Sequence, residues 1–195
     1  MSSDIKICEV KLIDFNNLAS IHSAALPEDV LPAFGLTVLE NFYKKAIDLK
    51  SNRFVVAKKQ DKVIGFILLS KESINLFEII LSYSFLCGIF RVIFFKPSKI
   101  LVAFSQIINK VPLGIDALEI TYIAVMPEYQ GFGVGGRLLK HIPLIVKYSN
   151  IKYIETKTSN EKLLNYYIKT FNAKLVHQFR SWNNNYYAIK WELEN

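Results

Sequence analysis

Val125-Met126-Pro127-Glu128-Tyr129-Gln130-Gly131-Phe132-Gly133-Val134-Gly135-Gly136 is the stretch on which the reading of this chain turns. It holds four glycines within six residues, after an apolar run ending at Val125 and before a helical pattern starting near Val134. Glycine lacks the Cβ that would keep a ligand from the backbone, so N–H groups in such a loop can turn toward an anion. The helix start adds donors without intrahelical partners and a partial positive charge. A strand, a glycine loop and a helix in this order predict a pyrophosphate-binding site. The bland alternative is a plain left-handed turn between strand and helix.

Two kinds of protein use such a loop. Gly131, Gly133 and Gly136 satisfy the G-x-G-x-x-G of a dinucleotide-binding oxidoreductase, with Glu155 about 20 residues on as the ribose-binding acid. Against this, residues 127–130 separate the strand from the glycines, and 59 residues after Gly136 are too few for a doubly wound sheet. The second reading takes Gln130-Gly131-Phe132-Gly133-Val134-Gly135 as Q-x-x-G-x-G, preceded by Ile123-Ala124-Val125 and Pro127. This run resembles the acetyl-CoA-binding motif of the GNAT N-acetyltransferase superfamily. Asn160 and Tyr167 further resemble that family's N-x6-Y, and their spacing puts both on one face of a predicted helix. The second motif departs from the family pattern: Phe171-Asn172-Ala173 stands where a Gly-Phe is usual, and Tyr166 competes with Tyr167 for the role. Asn172 is a residue that tolerates the left-handed conformation a glycine would take.

Working outward, residues 5–12 alternate as a strand, and residues 14–25 read as a helix with Asp14 as N-cap and Pro27 beyond its end. In residues 37–49, Val38, Phe42 and Ala46 recur at helical spacing. Residues 53–59 and 62–71 predict an antiparallel hairpin turning at Gln60-Asp61. Strands at 117–126, 151–156, 174–180 and 186–192, and helices from Val134 and over 161–170, complete the pattern, with a turn at Asn183-Asn184-Asn185. Pro143 should kink or end the helix after the loop. The order β-α-α-β-β-β-α-β-α-β-β matches the fold the resemblance implies: an α/β domain spanning 1–195, with a mixed central sheet, two splayed parallel strands and flanking helices. An apolar insertion at about 72–115 reads as two helices, near 76–95 and 98–109.

The resemblance also implies a chemistry. Acetyl-CoA would lie between strands 117–126 and 151–156, its pantetheine arm on backbone groups of Ile123, Ala124 and Val125. The amides of Gln130, Gly131, Phe132, Gly133, Val134, Gly135 and Gly136 would hold its pyrophosphate, and Asn160 and Tyr167 would also bind the cofactor. A primary amine would attack the thioester directly, Tyr167 acting as general acid toward the CoA thiolate. Glu119, on the strand face shared by Thr121, Ile123 and Val125, is the general-base candidate, Glu155 a weaker one. Glu119 as a solvated or acceptor-binding carboxylate stands beside that reading. A non-catalytic acyl-CoA sensor of the same fold would need the glycine loop but neither Glu119 nor Tyr167.

Composition sets the remaining limits. Of 195 residues, 51% are hydrophobic and 21% charged, which excludes a disordered chain and suits one folded domain. Cys8 and Cys87 are too few for a disulfide framework or a four-ligand zinc site, and His22, His141 and His177 show no metal spacing, so no metal is expected. The formal charge of +7 favours an anionic partner, yet the basic residues are scattered and no nucleic-acid motif appears. The acceptor is left as a small-molecule or sugar amine. No signal peptide is read at Met1-Ser2-Ser3-Asp4, so a cytoplasmic protein is expected. For the insertion three uses stand open: a wall of the acceptor pocket, a homodimer interface, or a peripheral membrane contact through Arg91, Lys96 and Lys99 among Phe90, Phe94 and Phe95.

Overall fold

The computed structural model describes residues 5–10, 14–71, 92, 114–147, 149–181 and 184–193. The expected helices at 76–95 and 98–109 therefore lie, apart from Val92, outside the described residues. Elements run in the order β1 (Ile5–Glu9), α1 (Phe15–Ala25), α2 (Leu36–Asp48), β2 (Arg53–Lys59), β3 (Lys62–Ser70) and β4 (Ala117–Val125). Then come α3 (Val134–Lys140), α4 (Ile142–Val146), β5 (Tyr153–Thr158), α5 (Glu161–Phe171), β6 (Lys174–Ser181) and β7 (Asn184–Glu192). Short 3-10 turns precede α2 at Leu31–Phe34 and follow β4 at Pro127–Tyr129.

The seven described strands form one sheet in the order β1-β2-β3-β4-β5-β7-β6. Among them β4 and β5 pair in parallel and every other neighbour is antiparallel. A dinucleotide-binding domain needs a run of parallel strands wound on both faces, so this topology removes the oxidoreductase alternative.

Each face of the sheet carries its own core. On one, α1 and α2 bury Leu18, Ile21, Val38, Leu39, Phe42 and Tyr43 against Phe54, Val56, Phe66 and Leu68. On the other, α3, α4 and α5 bury Val134, Leu138, Ile142 and Tyr167 against Ile64, Ile67, Leu118, Ile154 and Trp191. Strand β3 (KVIGFILLS) is covered on both sides, which explains its nearly continuous apolar run.

Several local expectations are corrected. Asp14 precedes α1 but makes no capping bond; both its carboxylate oxygens accept from Lys58 Nζ at 2.9 Å, so an ion pair across the sheet replaces the cap. Strand β5 begins two residues later than expected, and pairing of Arg180 with Asn185 and Ser181 with Asn184 puts both asparagines in β7 rather than in a turn. The break at Pro143 is as expected: α3 stops at Lys140, and α4 starts with that proline in its first turn, where a missing N–H costs nothing. Asn172 closes α5 at φ 51°, ψ 37°, the left-handed cap anticipated for it.

The β2–β3 turn places Gln60 and Asp61 at φ 49° and 61°, a pair of left-handed residues that Asn-Gly would occupy with less strain. Replacing both by Asn-Gly is expected to stabilise the fold by about 1 kcal/mol and to raise the melting midpoint by roughly 2–4 °C. Calorimetric melting of the double variant checks this.

Candidate active site

The cleft starts where the parallel pair stops. Rungs join Ala117 to Tyr153, Leu118 to Ile154, Glu119 to Glu155 and Ile120 to Thr156, and there the pairing ends although both strands continue. The Thr156 hydroxyl donates to the Ile120 carbonyl at 3.1 Å and pins that last rung. Beyond it β4 stays on β3 as far as Val125, and β5 stays on β7 as far as Thr158, so the two strands diverge. The Met126 N–H donates to the Ile64 carbonyl at 2.9 Å, across β3. Ladder alternation then turns the backbone groups of Tyr122 and Ala124 toward β3, and those of Ile123 and Val125 into the cleft. The Val125 carbonyl accepts from the Gln130 side-chain amide at 2.9 Å, which ties the loop to the strand end.

Of the loop glycines, Gly131 and Gly133 adopt φ 80° and 77°, and a Cβ on either would meet nothing within 4 Å. They open outward. Gly135 instead faces β4, where a Cβ would lie 3.9 Å from the Val125 side chain, and a Cβ at Gly136 would stand 2.8 Å from the Tyr166 hydroxyl. Those two glycines let α3 lie close to β4 and α5. Phe132, at the loop tip, is 64% exposed, while Val134 is buried.

Asn160 does not lie on the helix that carries Tyr167, although the sequence spacing implies that it does. Asn160 lies one residue before α5 in extended conformation and is its N-cap, its side-chain oxygen accepting from the N–H groups of Lys162 and Leu163. Tyr167 is 1% exposed and stacks on Trp191 at 5.3 Å between centroids. Burial, with Tyr166 adding to it, pushes its hydroxyl well above the ordinary tyrosine range. It therefore stays protonated, as a donor must. Tyr166 lies edge-on to Tyr167, with its hydroxyl at the α3 glycines.

Glu119 is not on the face of Ile123 and Val125. Leu68 pairs with Tyr122 and Leu69 with Ile120, so Thr121 is a bulge without a partner of its own. The extra residue reverses the alternation. Leu118, Ile120, Ile123 and Val125 all belong to the α3–α5 core, whereas Tyr122 and Ala124 belong to the α1–α2 core. Glu119 thus faces the α1–α2 side, where its carboxylate accepts from Lys157 Nζ at 3.0 Å. Glu155 pairs with Lys190 at 3.3 Å, a cross-strand ion pair rather than a ribose ligand.

Sequence reading missed a polar group on that same side. His22, with no exposed surface, lies 2.6 Å through Nδ1 from the Tyr43 hydroxyl and 2.9 Å through Nε2 from Asp29 Oδ2. Tyr122 packs against the His22 ring at 4.6 Å between centroids. Burial first, then Asp29, pushes Tyr43 and Tyr122 far above the usual tyrosine range. The signal available in the sequence was thin: a histidine and a tyrosine at apolar-stripe positions of two helices. Among the described residues no cluster of three His, Cys, Asp or Glu is placed to hold a metal ion.

Comparison with known proteins agrees with this geometry. The chain matches the Acetyltransferase (GNAT) family over residues 16–173. The ribosomal-protein-S18-alanine N-acetyltransferase from Escherichia coli superposes with a TM-score of 0.64 at 12% identity, covering 98% of this chain and 95% of that one. A GNAT family acetyltransferase from Elizabethkingia anophelis, crystallised with acetyl-CoA bound, gives 0.54 at 18% identity over 98% and 99%. Spermidine/spermine N-acetyltransferase from Vibrio cholerae gives 0.59 at 14% identity over 98% and 94%. No curated protein matches the chain in sequence. With a sheet split after Ile120, a glycine loop at the mouth of the split and a family match across most of its length, this chain belongs to the GNAT acetyltransferase family.

Proposed function

We propose that this protein is an N-acetyltransferase that moves the acetyl group of acetyl-CoA to a primary amine by direct attack. The observation that carries the reading is the continuity of the cleft. Backbone groups of Ile123 and the Val125 N–H, which no β5 rung takes up, line the split and lead into a loop whose two left-handed glycines, Gly131 and Gly133, face open space. Such a channel fits a long thioester arm ending in a pyrophosphate: strand edges pair with the amides of the arm, and bare backbone N–H groups meet the phosphates. Ala124 packs behind the strand and holds it on the α1–α2 core. Gln130, Phe132 and Val134 shape the loop, Gly135 and Gly136 let α3 approach, and Asn160 caps the helix that presents Tyr167.

In this reading bound acetyl-CoA supplies an activated acyl group, and the chain's residues provide placement and proton handling. The Val125 N–H or a loop N–H points to the carbonyl oxygen where negative charge develops. The Tyr167 hydroxyl, kept protonated by burial, delivers a proton to the departing thiolate. The amine must lose a proton before it attacks, and Glu119, through ordered water on the α1–α2 side, is the proposed route. The segment at 72–115 is proposed as a wall of the acceptor pocket; a homodimer interface and a peripheral membrane contact are its other assignments. Among the described residues no helix is long and apolar enough to cross a membrane.

Calorimetric titration with acetyl-CoA and, separately, NADH tests the donor. Micromolar binding of acetyl-CoA with none of NADH is the expected result; the reverse would discard the site assignment. Release of free CoA thiol in the presence of amines then separates an enzyme from a sensor of acyl-CoA, which would bind the donor and release nothing.

A further inference from the structure

The end of the sheet opposite the glycine loop holds a cavity of about 360 Å³. Its walls come from the start of β2, the residue after β3, the start of β4, α4 and the segment leading into β5. Leu118 lies in that wall, and roughly 20 Å of strand separates it from Val125 at the glycine loop. The floor of the cavity is apolar, formed by Leu118, Ile145, Val146 and Ile151. All four belong to the α3–α5 core or pack against it, so the floor is a fixed part of the fold.

Two cations line the same cavity. Arg53 opens β2 and pairs with Leu69, two residues before Lys71, so both side chains leave one end of the sheet on the face of Val55 and Leu69. The guanidinium is held in place: Arg53 Nη1 donates to the carbonyls of Lys50 at 2.6 Å and Asn52 at 2.9 Å. Its Nε and Nη2 donors are left for a ligand. Among the described residues no Asp or Glu pairs with Arg53 or Lys71, and none that lines the cavity is acidic. Two like charges beside an apolar hollow repel each other, and one shared anion relieves both.

We propose that this cavity is a ligand site separate from the acetyl-CoA cleft, built for a small amphiphilic monocarboxylate. One carboxylate oxygen meets the Arg53 guanidinium and the other the Lys71 ammonium, charge-assisted bonds of the stronger kind. The hydrocarbon body lies on Leu118, Ile145 and Ile151 and takes their apolar surface out of water. The volume is at the lower end of what small-molecule sites offer, which sets the size at a short-chain or single-ring acid. A neutral body of the same shape leaves both cations unpaired, and an inorganic anion leaves the floor wet. Recognition needs both halves.

The test titrates the full isotope-labelled chain with hexanoate, hexanol, acetate and inorganic phosphate and follows backbone amide shifts, with and without saturating CoA. Hexanoate is expected to shift the amides of Ser149, Asn150 and Ile151 and to bind about tenfold more tightly than the other three. Lys71→Gln, an exposed position past the end of β3, should weaken hexanoate about fivefold, as loss of a partly exposed ion pair does, and leave hexanol unchanged. Arg53→Gln should act in the same direction. It also frees two carbonyls, so Lys71→Gln decides the matter if Arg53→Gln does not fold. CoA should leave hexanoate affinity unchanged. Hexanol binding as tightly as hexanoate, phosphate binding more tightly, an affinity that survives Lys71→Gln, or displacement of hexanoate by CoA overturns the site. Each of these results leaves the acetyltransferase reading in place.

Discussion

Gly133→Val is expected to weaken acetyl-CoA binding at least a hundredfold while leaving the protein folded. Gly133 sits at φ 77°, ψ 9°, the left-handed residue immediately before α3. For an L-residue that conformation costs about 1–2 kcal/mol, and more for a β-branched one. In the free protein that strain is the whole penalty, because a Cβ there meets nothing within 4 Å. A melting midpoint lower by roughly 2–8 °C is the corresponding expectation. Binding suffers more, because the open space outside Gly133 is where phosphate oxygens must approach the loop amides. A branched side chain fills it, and relief of the strain turns the N–H groups away. Gly35→Ala supplies the control. Gly35 also has a positive φ, 104°, but lies before α2, so its substitution should lower the midpoint and leave acetyl-CoA affinity unchanged. Affinity of Gly133→Val within threefold of the parent would remove the loop from the donor site.

Tyr167→Phe should lower kcat by about a hundredfold, the lower end of what a positioned acid contributes. The change keeps the ring, and with it the stacking on Trp191 and the contact with Phe171, so the melting midpoint and the KM for acetyl-CoA should move little. The pH dependence follows from the direction of the shift. Burial raises this hydroxyl above its ordinary value of about 10. The protonated, donating form therefore persists as pH rises, and kcat should show no fall from tyrosine ionisation between pH 8 and about 10. Tyr166→Phe should cost less, since that hydroxyl lies against the α3 glycines. If the losses for Tyr166→Phe and Tyr167→Phe were reversed, the acid would be Tyr166.

Much of the fold was legible because local signals agreed with it. Apolar spacing in α2, the β-forming runs on either side of the Gln60-Asp61 turn, the proline that ends α3 and the asparagine that closes α5 each act within a few residues, so their reasons are written locally. The glycine loop was legible for the same cause: positive φ and close approach are demands on one residue at a time.

The chain by itself determined the order of its elements, the apolar face of each helix and a strand–glycine loop–helix unit suited to an anion. Tertiary structure decided the rest. Thr121 became a bulge because β3 and β4 must stay in register while β4 leaves β5, and this one extra residue carried Glu119 to the other face. Asn160 became a cap, and Asp14 an ion-pair partner rather than a cap, because the nearest donors came from a helix start and from a distant strand. His22, Asp29, Tyr43 and Tyr122 met only once two helices had packed on β4, since contacts between residues far apart in sequence depend on packing and leave no period to read.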